Sequence, residues 1–224
     1  MPALLAAGLL LATRLVFAQT AAMTDPKGGM TEPAKSDMKP MMADKPMMSD
    51  AKMEKPMMSA PMAMMTPGLQ VGAKAPDFVL KDASGKDVSL QGLLAKGKVA
   101  LAFYRSADWC PYCMAQMKDL QANLARIQGA GVQLVGISYD SPDTLTRVMG
   151  KHGLTFPLLS DAGSKTIDAY GIRNQEAKGR AVGVAHPVLF ILDQQGVVRA
   201  KLMRDNYKER PEVDEIVATA KSIM

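Results

Sequence analysis

The sequence predicts an α/β domain with a mixed central sheet and helices on both faces, preceded by a disordered N-terminal arm. The continuous apolar run at 99–104 is typical of a buried central strand. A helix, a second strand and a second helix follow it, an order that predicts parallel strands joined by helical crossovers. Two further strands, 188–192 and 197–203, flank the turn 193–196 and must be antiparallel to each other. One mixed sheet from about residue 68 onward follows from these patterns.

Apolar spacing and turn residues predict the other elements. Ser141 and Pro142 are the expected N-cap and first residue of the second helix. In chain order, the predicted elements are a hairpin of 78–80 with 88–90, a helix from 111 to about 128 ended by glycines, a strand at 132–139, a helix at 141–150 and an amphipathic helix at 211–223.

Length, charge and cysteine content exclude several classes of protein. The chain has 224 residues and a net charge of +5, so the folded part is about one ordinary domain. No Lys/Arg stripe or aromatic ladder accompanies the charge, so we expect no nucleic-acid partner. The only two cysteines are Cys110 and Cys113, which are too close in sequence to staple a disulfide-rich scaffold.

The first 18 residues have the pattern of a secretory signal peptide. Residues 2–13 are almost wholly apolar, and Val16 and Ala18 are small residues suited to cleavage before Gln19. An uncleaved anchor is the alternative, but about twelve apolar residues are too few to span a bilayer. We therefore expect export to the periplasm, with no membrane span after cleavage.

Residues 19–67 are predicted to be a disordered Met/Lys/Pro-rich arm. The stretch 20–66 contains no aromatic residue, and Lys-Pro-Met-Met occurs in it three times. The arm can be interpreted as a spacer, as a weak Cu(I) ligand through its thioethers, or as an oxidant trap.

The segment Trp109-Cys110-Pro111-Tyr112-Cys113 lies where the central strand gives way to a helix. A thiol at a helix N-terminus meets unpaired N–H groups and the positive end of the helix dipole, which stabilise a thiolate. Cys110 is therefore predicted to attack, and Cys113, one turn later, to resolve the mixed disulfide. The alternative, a zinc site, needs two more ligands, and only His152 and His186 are available as imidazoles.

Residues 68–224 resemble the redoxin branch of the thioredoxin superfamily, which contains the peroxiredoxins (AhpC/TSA) and exported thiol–disulfide oxidoreductases. The resemblance rests on 75–78, on 109–113 and on 188–193 with Gly196. It implies a thioredoxin-like fold.

The resemblance also implies roles for residues around the cysteines. Pro187 would be a cis-proline facing the disulfide. His186 would lie beside the sulfurs, where it would tune the thiolate, shuttle a proton or have no role. Trp109, Pro111 and Tyr112 would orient the substrate.

Three positions depart from the family patterns. Cys110 occupies the place of the peroxiredoxin threonine, which puts the peroxide-attacking cysteine of that family at Cys113. Pro187 replaces an arginine, for which Arg105 and Arg173 are the candidate substitutes considered. Gln116 stands where the exported oxidoreductases usually have a glutamate.

The predicted function is dithiol–disulfide exchange on a protein or small-molecule disulfide, with an upstream thiol reductant restoring the pair. The alternative is a peroxiredoxin-like thiol peroxidase acting on a hydroperoxide. A third reading is a Cu(I) chaperone, although the chaperones of this fold use a Cys-x-x-x-Cys spacing. No cofactor and no resident metal are expected.

Overall fold

The computed structural model describes residues 66–223 of the chain. The predicted signal peptide at 1–18 and the arm at 19–67, with its suggested Cu(I) binding, lie outside these residues except for Thr66 and Pro67. Lys201 Nζ donates to the carbonyl and hydroxyl oxygens of Thr66 at 3.0 and 2.9 Å.

Seven strands form one mixed sheet in the order β2-β1-β5-β4-β3-β6-β7. The pairs β3/β4 and β4/β5 are parallel, whereas β6 is antiparallel to both β3 and β7. The strands are β1 Val79–Asp82, β2 Asp87–Ser89, β3 Lys98–Phe103, β4 Val132–Ser138, β5 Leu158–Ser160, β6 Val188–Leu192 and β7 Val198–Met203.

Helices connect the strands and cover the sheet. None of the helices within residues 66–223 has the length and apolar composition needed to cross a membrane. They are α1 Leu90–Leu94, α2 Pro111–Ala122, α3 Leu124–Gly129, α4 Pro142–His152, α5 Lys165–Ala169 and α6 Val213–Ser222, with a 3₁₀ turn at Gly179–Ala181.

The core lies in two layers, one on each face of the sheet, because side chains alternate along a strand. From β3, Ala100 and Ala102 point into the layer under α2, α3, α4 and α6. Val99, Leu101 and Phe103 point into the other layer, under α1 and α5. The predicted mixed sheet with helices on both faces is confirmed.

Strand directions bring several loops to one edge of the sheet. Phe103, at the carboxyl end of β3, pairs with Ile137 near the end of β4 and with Val188 at the start of β6. Val188 pairs in turn with Met203, the last residue of β7. The loops that follow β3, β4 and β7 and the segment that precedes β6 therefore meet there.

The predicted helix 111–128 is two helices that meet at Asn123. The backbone leaves helical geometry at this residue, and the Asn123 amide donates to the Asp119 carbonyl at 3.0 Å. Such side-chain bonds compete with helical backbone bonds. The apolar spacing was nevertheless meaningful, because Met117, Leu120 and Ile127 are all buried.

Four short elements were not predicted: α1, β5, α5 and the 3₁₀ turn at Gly179–Ala181. The predicted strand residue Leu90 begins α1, since the Ser89 hydroxyl accepts the Gly92 N–H and caps a helix. Elements of three to five residues are too short to show a period in the sequence.

Candidate active site

The two cysteines form a disulfide at the start of α2. Cys110 is the N-cap of α2, Pro111 is its first residue, and the Cα atoms of Cys110 and Cys113 are 5.2 Å apart. The Cys113 N–H donates to Cys110 Sγ at 3.3 Å, as a backbone N–H does for the side chain of a cap. The predicted position of Cys110 at a helix N-terminus is confirmed.

Both cysteines are buried in this disulfide form, with Cys110 1% and Cys113 0% exposed. The two residues between them, Pro111 and Tyr112, are exposed. A partner that attacks or is attacked at either sulfur therefore needs a local opening of this turn.

A buried carboxylate holds the loop between β3 and α2. Asp140 Oδ1 accepts the Ser106 hydroxyl at 2.8 Å, and Oδ2 accepts the Ala107 N–H at 2.7 Å and the Ser138 hydroxyl at 2.8 Å. The Ser106 hydroxyl also accepts the Asp108 N–H at 3.0 Å. Because a buried carboxylate without donors would be costly, this network sets the path of the loop that presents Cys110.

Trp109, the only tryptophan in the chain, lies against two arginines beside the disulfide. Its Nε1 donates to the Tyr139 hydroxyl at 2.9 Å, and that hydroxyl donates to the Arg180 carbonyl at 2.6 Å. The Arg180 guanidinium stacks on the indole at 5.0 Å from the ring centroid, and the Arg105 guanidinium lies 5.1 Å from it. These distances are within cation–π range.

Arg105 is held between two aromatic rings. Its guanidinium lies 4.7 Å from the Tyr207 ring centroid as well as near Trp109. Tyr207 packs edge-on against Tyr112, with centroids 6.2 Å apart. The loop after β7 thus reaches the exposed surface of the cysteine motif.

Arg210 contacts the buried sulfur. Its Nη2 donates to Cys113 Sγ at 3.4 Å, and its Nε donates to Gln116 Oε1 at 2.8 Å. Burial lowers the pKa of Arg210 to about 10, and the charge of Arg105 acts in the same direction. The amide of Gln116 thus orients the Arg210 guanidinium toward the sulfur.

His186 lies in a cleft of about 440 Å³ that Arg173 and Glu176 also line. Its backbone N–H donates to the Ile172 carbonyl at 2.7 Å. Burial lowers the pKa of His186, an effect that Glu176 opposes and the charge of Arg105 reinforces. The neutral imidazole is therefore favoured at neutral pH, and its predicted place beside the sulfurs stays a prediction.

Pro187 is buried directly before β6. Since Val188 pairs with Phe103, Pro187 lies at the sheet edge from which the cysteine loop departs. The cis geometry of its peptide bond stays a prediction.

The cysteine motif was predicted from the sequence, and Arg105 was named as a candidate substitute for the peroxiredoxin arginine. Arg180, Tyr207 and Arg210 were missed. Arg173, the other candidate for the lost peroxiredoxin arginine, is paired with Asp168. The predicted antiparallel hairpin of β6 and β7 is the one signal from which the return of the loop after β7 to this edge could have been inferred. Nothing in the sequence indicated which of its residues reaches a sulfur.

The chain is similar in sequence to known proteins. The AhpC/TSA family model matches residues 71–201. A putative peroxiredoxin of Mycobacterium tuberculosis is 35% identical over 134 residues, which make up 59% of this chain and 84% of that protein. The thiol-disulfide oxidoreductase ResA of Bacillus anthracis is 29% identical over 145 residues, 64% of this chain and 76% of ResA.

The fold is shared with solved structures. The crystal structure of peroxidoxin BcpB from Mycobacterium tuberculosis superposes with a TM-score of 0.62 at 23% identity, covering 70% of this chain and 99% of that one. Since the family model spans more than half of the sequence and a disulfide-forming cysteine pair occupies the site, the chain belongs to the AhpC/TSA family of thiol-dependent oxidoreductases.

Proposed function

We propose that this protein is an exported thiol–disulfide oxidoreductase that works by dithiol exchange through Cys110 and Cys113. The observation that carries the proposal is the position of Cys110 at the N-cap of α2, within disulfide distance of Cys113. The backbone N–H that reaches the Cys110 sulfur supports the thiolate form after reduction. ResA, named a thiol-disulfide oxidoreductase, is a relative consistent with this activity.

The exchange takes two steps. The Cys110 thiolate attacks one sulfur of a substrate disulfide, forming a mixed disulfide and releasing the other sulfur as a thiolate. The Cys113 thiolate then attacks Cys110 Sγ, which closes the internal disulfide and releases the second substrate thiolate. An upstream thiol reductant returns both cysteines to the reduced form.

Trapping the intermediate tests this order. Cys113→Ser should accumulate a mixed disulfide through residue 110, because the resolving sulfur is gone, whereas Cys110→Ser should accumulate far less. Mass spectrometry after reaction with a model disulfide distinguishes the two variants. Equal trapping by both variants, or trapping by Cys110→Ser alone, would contradict the assigned roles.

A thiol peroxidase is the second candidate, favoured by the contact of Arg210 with Cys113 Sγ. In that reaction the Cys113 thiolate attacks a hydroperoxide oxygen, becoming a sulfenic acid and releasing an alcohol or water. Cys110 then attacks the sulfenic sulfur, closing the disulfide with loss of water. The name of the mycobacterial relative, a putative peroxiredoxin, is consistent with it.

Stopped-flow measurement of hydrogen peroxide consumption by the reduced protein tests the peroxidase. A second-order rate constant well above that of a free thiolate is expected for a peroxidase. A rate constant equal to that of a free thiolate would remove this candidate and leave disulfide exchange.

We also propose that the chain is exported and loses its first 18 residues. The apolar stretch and the small residues Val16 and Ala18 support this. N-terminal sequencing of protein from the periplasmic fraction should begin at Gln19. Recovery of the full-length chain from the cytoplasm would contradict the proposal.

A further inference from the structure

Four cations surround the exposed side of the cysteine motif, and we call them the cationic rim. They are Arg105, Arg180, Lys208 and Arg210. The first two stack on Trp109, and Lys208 lies 6.0 Å from the Tyr207 ring centroid.

The rim lacks charge compensation within residues 66–223. Six other basic side chains in this part of the chain have a carboxylate oxygen within 4 Å of a side-chain nitrogen, but no cation of the rim does. The Nε of Arg105 is buried without a hydrogen-bond partner among these residues. Asp119 and Glu212 line the adjoining cleft of about 230 Å³ with Lys208 and Arg210, without forming such a pair with either.

Neighbouring side chains hold two arginines of the rim in place. Aromatic stacking on Trp109 and Tyr207 holds Arg105, and the Tyr139 hydroxyl holds the backbone of Arg180. Arg105 is near enough to Arg210 for its charge to lower the pKa of Arg210, and an anion bound between such like charges would relieve their repulsion. The rim lies over the cysteine motif, where Pro111 and Tyr112 are exposed and the sulfurs are buried beneath them. An anion bound there therefore belongs to a molecule placed to react when this turn opens.

We propose that the cationic rim selects a carboxylate-bearing, low-molecular-weight disulfide as the exchange partner of Cys110. The proposal rests on the dithiol exchange described above. The aromatic rings contact the body of the ligand, and the guanidinium groups bind its carboxylates. Reduced protein and disulfide yield oxidised protein and two equivalents of the anionic thiol, so electrons and atoms balance.

Three symmetric disulfides of different charge test the selection. The reduced full chain is mixed with glutathione disulfide, which carries net negative charge, with neutral hydroxyethyl disulfide, or with cationic cystamine. Each rate constant is divided by that for dithiothreitol with the same disulfide, which removes intrinsic reactivity. At low salt the normalised constant for glutathione disulfide should exceed that for cystamine by on the order of tenfold, and added salt should shrink the ratio.

Arg180→Gln should lower this ratio several-fold, since it removes an exposed cation of the rim. The matched control is Arg126→Gln, which removes an equal charge. Arg126 lies on α3 and is paired with Asp214 of α6, so this variant should leave the ratio unchanged. The salt dependence of the wild-type ratio needs no variant and stands even if a variant misfolds.

The outcomes separate the two proposals. Reaction with all three disulfides but no dependence on their charge, or a preference for cystamine, overturns the selection and leaves dithiol exchange standing. Failure to react with any of them, neutral hydroxyethyl disulfide included, overturns both.

Discussion

Arg210 is expected to make the Cys113 thiol more acidic and the reduced protein more stable relative to the disulfide. Arg210→Gln removes the guanidinium whose Nη2 lies 3.4 Å from Cys113 Sγ. A hydrogen bond to a charged group contributes about 1.5–3 kcal/mol. A full interaction of unit charges at 3.4 Å with an effective dielectric of about 20 gives about 5 kcal/mol, an upper limit because the guanidinium also loses water on burial.

These energies convert directly into measurable shifts. Loss of about 1.5–3 kcal/mol raises the pKa of the Cys113 thiol by about 1–2 units. At a pH where Cys113 is a thiolate in the reduced protein, the variant also destabilises the reduced form relative to the disulfide. The reduction potential of the Cys110–Cys113 couple therefore becomes about 30–65 mV more negative.

Two measurements check this expectation. Ultraviolet absorbance of the thiolate during a pH titration, in a Cys110→Ser background, reports on Cys113 alone. Equilibration of the two-cysteine protein with thiol–disulfide buffers reports on the potential. Arg210→Lys should restore part of both shifts, because it keeps the charge without the forked geometry.

Arg204→Gln is the matched control, because Arg204 lies on the same loop and pairs with Glu215 rather than with a sulfur. It should leave the Cys113 titration and the potential unchanged. Arg210 does not tune the Cys113 thiol if Arg210→Gln changes neither quantity, or if Arg204→Gln changes both equally.

Three further predictions follow from the same site. Gln116→Glu should pair with Arg210 and raise the pKa of the Cys113 thiol, by less than Arg210→Gln does, in the same thiolate titration; an unchanged titration would show that the amide does not orient the guanidinium. Asp140→Ala should lower the free energy of unfolding by about 2–3 kcal/mol in urea denaturation, because buried donors lose their acceptor; a loss below about 0.5 kcal/mol would contradict the assigned network. Burial lowers the pKa of His186 below its ordinary value of 6.5, so the unfolded chain binds the proton first and stability should fall as pH drops below about 6.5; His186→Gln should flatten this decline, and identical pH profiles would refute it.

The reactive pair and the scaffold around it could be predicted from local patterns. An apolar run of six residues, a Cys-x-x-Cys at its end and helical spacing beyond Pro111 are all contiguous in the chain. Such features report on which backbone segments form strand or helix, and a thiol at a helix start acquires its chemistry from that local geometry. The positions of Cys110 and Pro111 at the start of α2 were predictable for this reason.

The electrostatic surroundings of the sulfurs could not be predicted in this way. Arg210 is 97 residues from Cys113 in sequence. It reaches Cys113 only because β7 runs antiparallel to β6, and β6 lies next to β3. Arg180 lies in the 3₁₀ turn at Gly179–Ala181, which follows α5, and neither element was predicted.

The amino-acid sequence by itself determined that two sulfurs one helical turn apart stand at the end of a buried strand. Only the tertiary structure decided which side chains surround them, because contacts between distant segments depend on strand order and loop path. A charge acts over a few ångströms of space, and that distance does not follow from the separation of two residues in the sequence.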